Sequence, residues 1–275
     1  MAATFVIFLR EGIEASMIVA ILLAYLERAG QRQHFRDVLA GVAIALILVL
    51  AGGVATYLTL RTYAGSRAQT IFETVTYLVA AVVLTYMTFW MRNHAPTLSN
   101  ELQARSQAAL DGRARWGLGL LAFQAVGREG LETMVFTLAI LFASSGRAVI
   151  AGGVAGLAAS LAIAYAMYHL GKRMNLALFF RAVGALLLVF AAGILADAVE
   201  NLQQLGWLPW LTHPLWSTAH VLSEDSTLGD LVHSFLGYAQ SPSGFQVLAY
   251  TLYIAVAVGL FFRLYRFWPG LRQRR

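Results

Sequence analysis

Two five-residue stretches, Arg-Glu-Gly-Ile-Glu at Arg10–Glu14 and Arg-Glu-Gly-Leu-Glu at Arg128–Glu132, each carry three charged side chains into a long apolar run. Glu11 and Glu14 are spaced i, i+3, as are Glu129 and Glu132, so on a helix the two members of each pair share a face. Two such helices packed together bring four carboxylates into one cavity. Arg10 and Arg128 stand four residues before the second glutamate of their motifs, where each guanidinium can pair with it and offset part of the charge. Gly12 and Gly130 remove side-chain bulk; they either admit a neighbouring helix closely or loosen the helix. Carboxylate oxygens suit hard cations, and the chain has no cysteine, which excludes a thiolate metal site. On these residues the chemistry is cation or proton transport, with the ion unnamed. A buried Glu–Arg network that only holds helices together is the competing reading.

The elements that must position these motifs are membrane helices. Of the 275 residues, 59% are hydrophobic and 12% charged, against about 25% charge in a soluble domain. Seven segments are long and apolar enough to cross the bilayer, near residues 3–26, 38–60, 70–91, 117–143, 149–170, 179–201 and 245–267. The expected fold is therefore an all-α polytopic membrane protein with seven transmembrane helices. Arginines and a lysine concentrate in the loop around Arg28, Arg32 and Arg36, in the segment from Arg92 to Arg115, around Lys172, Arg173 and Arg181, and in the C-terminal tail. Only Arg61, Arg67 and Arg147 fall on the opposite side. This asymmetry puts the N-terminus outside and the C-terminus in the cytoplasm. The net charge of +6 thus reflects topology, and no nucleic-acid partner is expected.

The two motifs align in register, as FLREGIEASMIVAILLAYL against AVGREGLETMVFTLAILFA. The first span runs inward and the fourth outward, so a three-helix unit recurs with inverted topology. The units are residues 1–91 and 117–201, followed by an external acidic loop at 202–244 and by a seventh helix with a basic tail at 245–275. Inverted repeats are a transporter architecture with the site near the midplane. An ionised residue there costs roughly 2.5–3.5 kcal/mol unless paired, solvated or bound to a cation. Two copies on opposed helices favour an ion path over a chance polar pair.

Further acids mark the outer side. Asp197 and Glu200 are again i, i+3, near the end of the sixth span, and Glu73 begins the third. With Glu224 and Asp225 of the external loop they form a possible outer collecting site. His213, His220 and His233 in that loop are too widely spaced for a one-helix metal motif. Gln124, one turn before Arg128, is a candidate hydrogen-bond donor to the ligands. Neither a phosphate-binding glycine loop nor a haem or copper motif is present, so no resident cofactor and no enzymatic activity are expected.

The paired motifs, the seven spans, the outside N-terminus and the stretch GILADAVENLQ near the end of the sixth span together resemble the high-affinity iron permease family, which includes fungal ferric permeases and bacterial EfeU permeases. The resemblance implies an importer of iron, expected as ferric, in the cytoplasmic (inner) membrane, with iron as transported substrate. It implies Glu11, Glu14, Glu129 and Glu132 as the metal ligands, with Arg10 and Arg128 as electrostatic partners. It also implies an extracytoplasmic partner that oxidises or delivers iron. Alternatives are a transporter of another multivalent cation, a proton-coupled exporter, or a membrane scaffold.

Overall fold

The structure, a computed structural model, describes residues 1–63, 65–94, 98–111, 117–143, 146–170, 176–224 and 226–266. The described residues are helical almost throughout: α1 (Ala2–Arg28), a short 3-10 turn at Arg32–His34, α2 (Phe35–Thr62), α3 (Arg67–His94), α4 (Leu98–Asp111), α5 (Gly117–Ala143), α6 (Gly146–Leu170), α7 (Leu176–Gln204), α8 (Thr227–Leu236) and α9 (Gly244–Arg266). Among them the only strand-like feature is an isolated bridge between Pro214 and Ser243.

Five helical stretches are long and apolar enough to cross a membrane: Arg32–Thr59, Arg67–Met91, Gly146–Ala166, Arg181–Gln204 and Gly244–Phe261. The chain is thus a multi-pass membrane protein. Helices α1 and α5, at 27 residues each, reach about 40 Å at 1.5 Å per residue. The charged pentapeptides are what separate them from the other five. The apolar side chains that α2, α6 and α9 leave exposed, such as Ile47, Leu50, Val154, Leu161, Leu252 and Leu260, form the surface that a bilayer covers.

The main helix contacts join the two halves of the chain. Helix α1 packs chiefly on α6, α2 on α5 and α3 on α7, while α9 lies against α7. Glycines set the closest seams. A Cβ at Gly41 would stand 2.1 Å from the Gly119 carbonyl oxygen, and one at Gly152 would stand 2.2 Å from that of Met1. Further along, Gly12 abuts Ser160 and Gly130 abuts Val49. The contact points advance together along each pair, so α1 runs parallel to α6 and α2 parallel to α5. Both motif glycines therefore serve close approach, inside helices that continue unbroken.

Two apolar clusters bracket the charged pentapeptides. One joins Ala3 and Ile7 of α1 to Phe136, Ala139 and Ile140 of α5, with Leu84 of α3 and Leu187 and Ile194 of α7. The other joins Ile18, Leu22 and Leu26 to Leu118 and Ala122, closed over by Val38 of α2 and Leu102 of α4. Since α1 meets α5 with its start against the later part of α5, the two are antiparallel, and residues 10–14 and 128–132 share one layer between the clusters.

Overpacking a close seam costs about 1–3 kcal/mol. Gly41→Ala should therefore lower thermal stability in detergent, because the new methyl meets backbone. Gly52→Ala, whose nearest neighbour would be the Met134 sulfur at 3.9 Å, should be neutral or stabilising. A fluorescence melt of the purified protein reads both.

Candidate metal centre

Helical phase delivers the motif side chains to the α1–α5 contact. Arg10, Glu11 and Glu14 are 2–3% exposed and Glu129 is 7% exposed. Arg10 Nη1 donates to Glu11 Oε1 at 2.6 Å, and its Nε lies 3.2 Å from Glu14 Oε1. One buried guanidinium thus holds both carboxylates of its own helix. On α5, Arg128 Nε donates to Glu132 Oε1 at 3.0 Å. The Arg128 side chain is 44% exposed. It lies over the Trp90 ring at 4.7 Å, with Nη2 3.3 Å from the Met87 sulfur.

The two motifs are therefore unequal. Glu11, Glu14 and Glu129 bring carboxylate oxygens within 4.8 Å of one another. Glu132 stays beside this trio, held by Arg128. Three oxygens spread evenly around one ion at about 2.0–2.2 Å lie at most about 3.8 Å apart, so the trio closes into a coordination shell by drawing in by up to about 1 Å. Glu11 Oε2, Glu14 Oε1, Glu129 Oε2 and Glu132 Oε2 are buried and accept no hydrogen bond. A buried layer in which three carboxylate oxygens have no partner, Glu14 Oε1 is met only by the Arg10 charge, and Glu129 lacks an ion pair among the described residues fits a cation. Nothing but oxygen is offered, which suits a hard or borderline ion. Gln124 is exposed and takes no part.

The outer acids separate into two kinds. Glu73 Oε1 accepts from Gln69 Nε2 at 2.6 Å, Glu200 Oε2 from Gln246 Nε2 at 2.9 Å, and Glu224 Oε1 from the Gln240 backbone N–H at 2.5 Å. Asp197 accepts no hydrogen bond from a described residue. Asp225 lies outside the described residues. Glu73, Asp197 and Glu200 are close enough to act electrostatically on the Tyr77 hydroxyl, so they share one region.

Sequence reasoning missed His233. Helix α8, capped by the Ser226 hydroxyl at its start and by left-handed Gly237 at its end, sits on α7 where Gly237 meets Gly193. That seat places His233 Nε2 3.9 Å from Asp197 Oδ2, while Nδ1 lies 2.7 Å from the Tyr238 carbonyl oxygen. Burial pushes the imidazole pKa down. Asp197, then the Tyr238 carbonyl, then Glu224 and Glu200 outweigh it, and the net position is above the ordinary imidazole value. No spacing in the sequence announces this contact across a loop. His213 and His220 are exposed and stand apart from it.

The class these features define is a multi-pass helical membrane protein with a buried, arginine-opposed carboxylate cluster that could hold a cation. Comparison with known proteins narrows the class. The chain matches the iron permease FTR1 family over residues 1–272 and belongs to that family. It is 33% identical over 264 residues to the ferrous iron permease EfeU of Yersinia pestis, covering 95% of this chain and 93% of that protein. It is 31% identical over 263 residues to the protein of the same name from Escherichia coli O6:K15:H31, covering 95% of each. No solved structure matches. The family is one of permeases, not enzymes, and iron is its cargo, not a resident cofactor.

Two measurements test the geometry. Arg10→Gln leaves buried carboxylates unopposed and should cost about 3–5 kcal/mol of stability, whereas Arg128→Gln, which removes a guanidinium that is itself 44% exposed, should cost less. Asp197→Asn should lower the titration midpoint of His233, followed by NMR of labelled imidazole, since the aspartate is the first of the groups that raise it.

Proposed function

We propose that this chain imports iron across the cytoplasmic membrane through the carboxylates of its two pentapeptides. Glu11, Glu14 and Glu129 bind the ion, Glu132 supplies a fourth carboxylate when released by Arg128, and Arg10 keeps the layer from trapping the cargo. The observation that carries this reading is the convergence of three buried glutamates from two helices within 4.8 Å, in a chain of the iron permease family. Binding must be favourable yet reversible for transport, and the arginines provide that compensation.

Seven spans support the path: α1, α2, α3, α5, α6, α7 and α9, with the N-terminus outside. Their inverted repeat is supported by matching contacts. Met1 and Gly119 stand 118 residues apart, as do Gly12 and Gly130; Gly41 and Gly152 stand 111 apart, as do Val49 and Ser160. Exchanging the members of these pairs turns Gly152–Met1 into Gly41–Gly119, and Gly12–Ser160 into Gly130–Val49. Parallel packing of α1 on α6 and of α2 on α5 is what a repeat with an odd number of spans requires.

On the outside, Glu73, Asp197, Glu200 and Glu224, with Asp225 of the same loop, attract the cation toward the bundle. An extracytoplasmic partner that oxidises or delivers iron docks on this acidic side. The expectation of ferric iron rests on the resemblance. Charge balance favours ferrous iron: four carboxylates against two guanidinium groups leave a formal charge of −2, which one divalent ion neutralises. The bacterial relatives carry the name ferrous iron permease.

Proteoliposomes loaded with the purified chain should take up radiolabelled iron, faster with ascorbate than under oxidising conditions. Glu11→Gln/Glu14→Gln and Glu129→Gln/Glu132→Gln should each reduce uptake to background while remaining monodisperse. Unchanged uptake in both would make the pentapeptides structural and would sink this reading.

A further inference from the structure

The contact between α7 and α8 contains a pair of groups that the central cluster does not use. His233 Nε2 and Asp197 Oδ2 are 3.9 Å apart, too far for a hydrogen bond. Bonds of about 2.0–2.2 Å to nitrogen and to oxygen span this gap at a wide angle, and a closing movement of about half an ångström brings the two atoms to the spacing of tetrahedral ligands of one ion. The imidazole is held in position for ligation: Nδ1–H donates to the Tyr238 carbonyl at 2.7 Å, which turns Nε2, the nitrogen that gives up its proton when a cation binds, toward Asp197. A backbone carbonyl on the second ring nitrogen is how ligating histidines are oriented. Asp197 accepts no hydrogen bond from a described residue, whereas Glu73, Glu200 and Glu224 are each held by a glutamine.

The surroundings fit a small ion. Asp197 and His233 open on a small cavity whose walls include Ile140, Phe190, Gly193 and Ser234. One turn further along the same face of α7, Asn201 is buried with its amide nitrogen unpartnered, a free donor for an ion-bound water. Glu200 and Glu224 act on both groups electrostatically and add negative field without leaving their own hydrogen bonds. The cavity stands outward of the centre: Ile140, in its wall, is eight residues beyond Glu132 on α5, about 12 Å along the helix.

We propose that His233 Nε2 and Asp197 Oδ2 form a second, outer metal site that takes a borderline divalent transition-metal ion, ferrous iron, before it passes to the central carboxylates. Mixed nitrogen and oxygen ligation selects such an ion over calcium and magnesium, which prefer oxygen alone. The proposal rests on the iron-import reading for the identity of the cargo. The site itself rests on its own geometry, and α8 acts as the element that assembles it.

The test is anaerobic equilibrium dialysis of the purified full chain in detergent against radiolabelled ferrous iron, with Co2+ as a spectroscopic probe of imidazole ligation. Wild type should bind two ions. Glu11→Gln/Glu14→Gln/Glu129→Gln/Glu132→Gln should keep one, with a nitrogen-ligated Co2+ spectrum, and adding His233→Gln should remove it. Asp197→Asn, nearly isosteric, should weaken the outer site at least about tenfold at unchanged melting temperature, and should slow uptake at low iron more than at saturating iron. Loss of all binding in the quadruple variant, or a Co2+ spectrum unmoved by His233→Gln, overturns the outer site and leaves the central reading standing. A single ion lost with His233→Gln but kept in the quadruple variant upholds the outer site and overturns the central one.

Discussion

The constraint on which this structure depends is the cost of keeping glutamates ionisable where there is no water. A carboxylate in hydrocarbon is tolerated only against an opposite charge, a donor or a bound cation. Arg10 answers it most directly, bridging Glu11 and Glu14 at 2.6 and 3.2 Å from the next turns of its own helix. The apolar clusters above and below answer it a second way. Ile7 and Phe136 on one side, and Ile18 and Ala122 on the other, are almost fully buried, so the polar layer is confined to the thickness of the motifs. Close helix seams at Gly12 and Gly130 then bring backbone near enough to exclude space that would otherwise be empty.

The layer is not symmetric, and the asymmetry has chemical content. The first motif is internally paired and buried. The second is opened by Arg128, which leaves the trio for Glu132, the Trp90 ring and the Met87 sulfur. Glu129 is thereby presented to Glu11 and Glu14 without a counterion of its own among the described residues. In the proposed reading, a cation arriving there meets three carboxylates, and release draws on Arg128, whose half-exposed side chain has room to move where Arg10 has none.

Much of this was legible in the residues. The i, i+3 spacing forced the glutamates of each motif onto one face, and the i, i+4 offset forced Arg10 toward Glu14 and Arg128 toward Glu132, because helical geometry alone sets those distances. Helix positions followed from hydrophobic length, and the seven long helices extend to within three residues of the expected ends, while α4 and α8 had no expected bounds. The ambiguous role of Gly12 and Gly130 was resolved by what lies opposite them, Ser160 and Val49, and no local signal carries that. The unequal burial of the two arginines was equally hidden, since REGIE and REGLE are chemically alike and differ only in their neighbours. His233 was hidden for another reason: its contact with Asp197 depends on the seating of α8 against α7, a tertiary fact joining residues 36 positions apart.

The pairing of helices across the two halves has a consequence for how the chain is made. Helices α1, α2 and α3 find their principal partners in α6, α5 and α7, so the first half of the polypeptide has little of its own to fold onto. As synthesis proceeds, Arg10, Glu11 and Glu14 of α1 have only one another as partners until more than a hundred further residues have emerged. The local Arg10 bridge is therefore a survival device for the nascent helix as well as part of the finished site. Assembly is governed by the late arrival of α5 and α6, a long-range closure of the kind that folds slowly and exposes its intermediates.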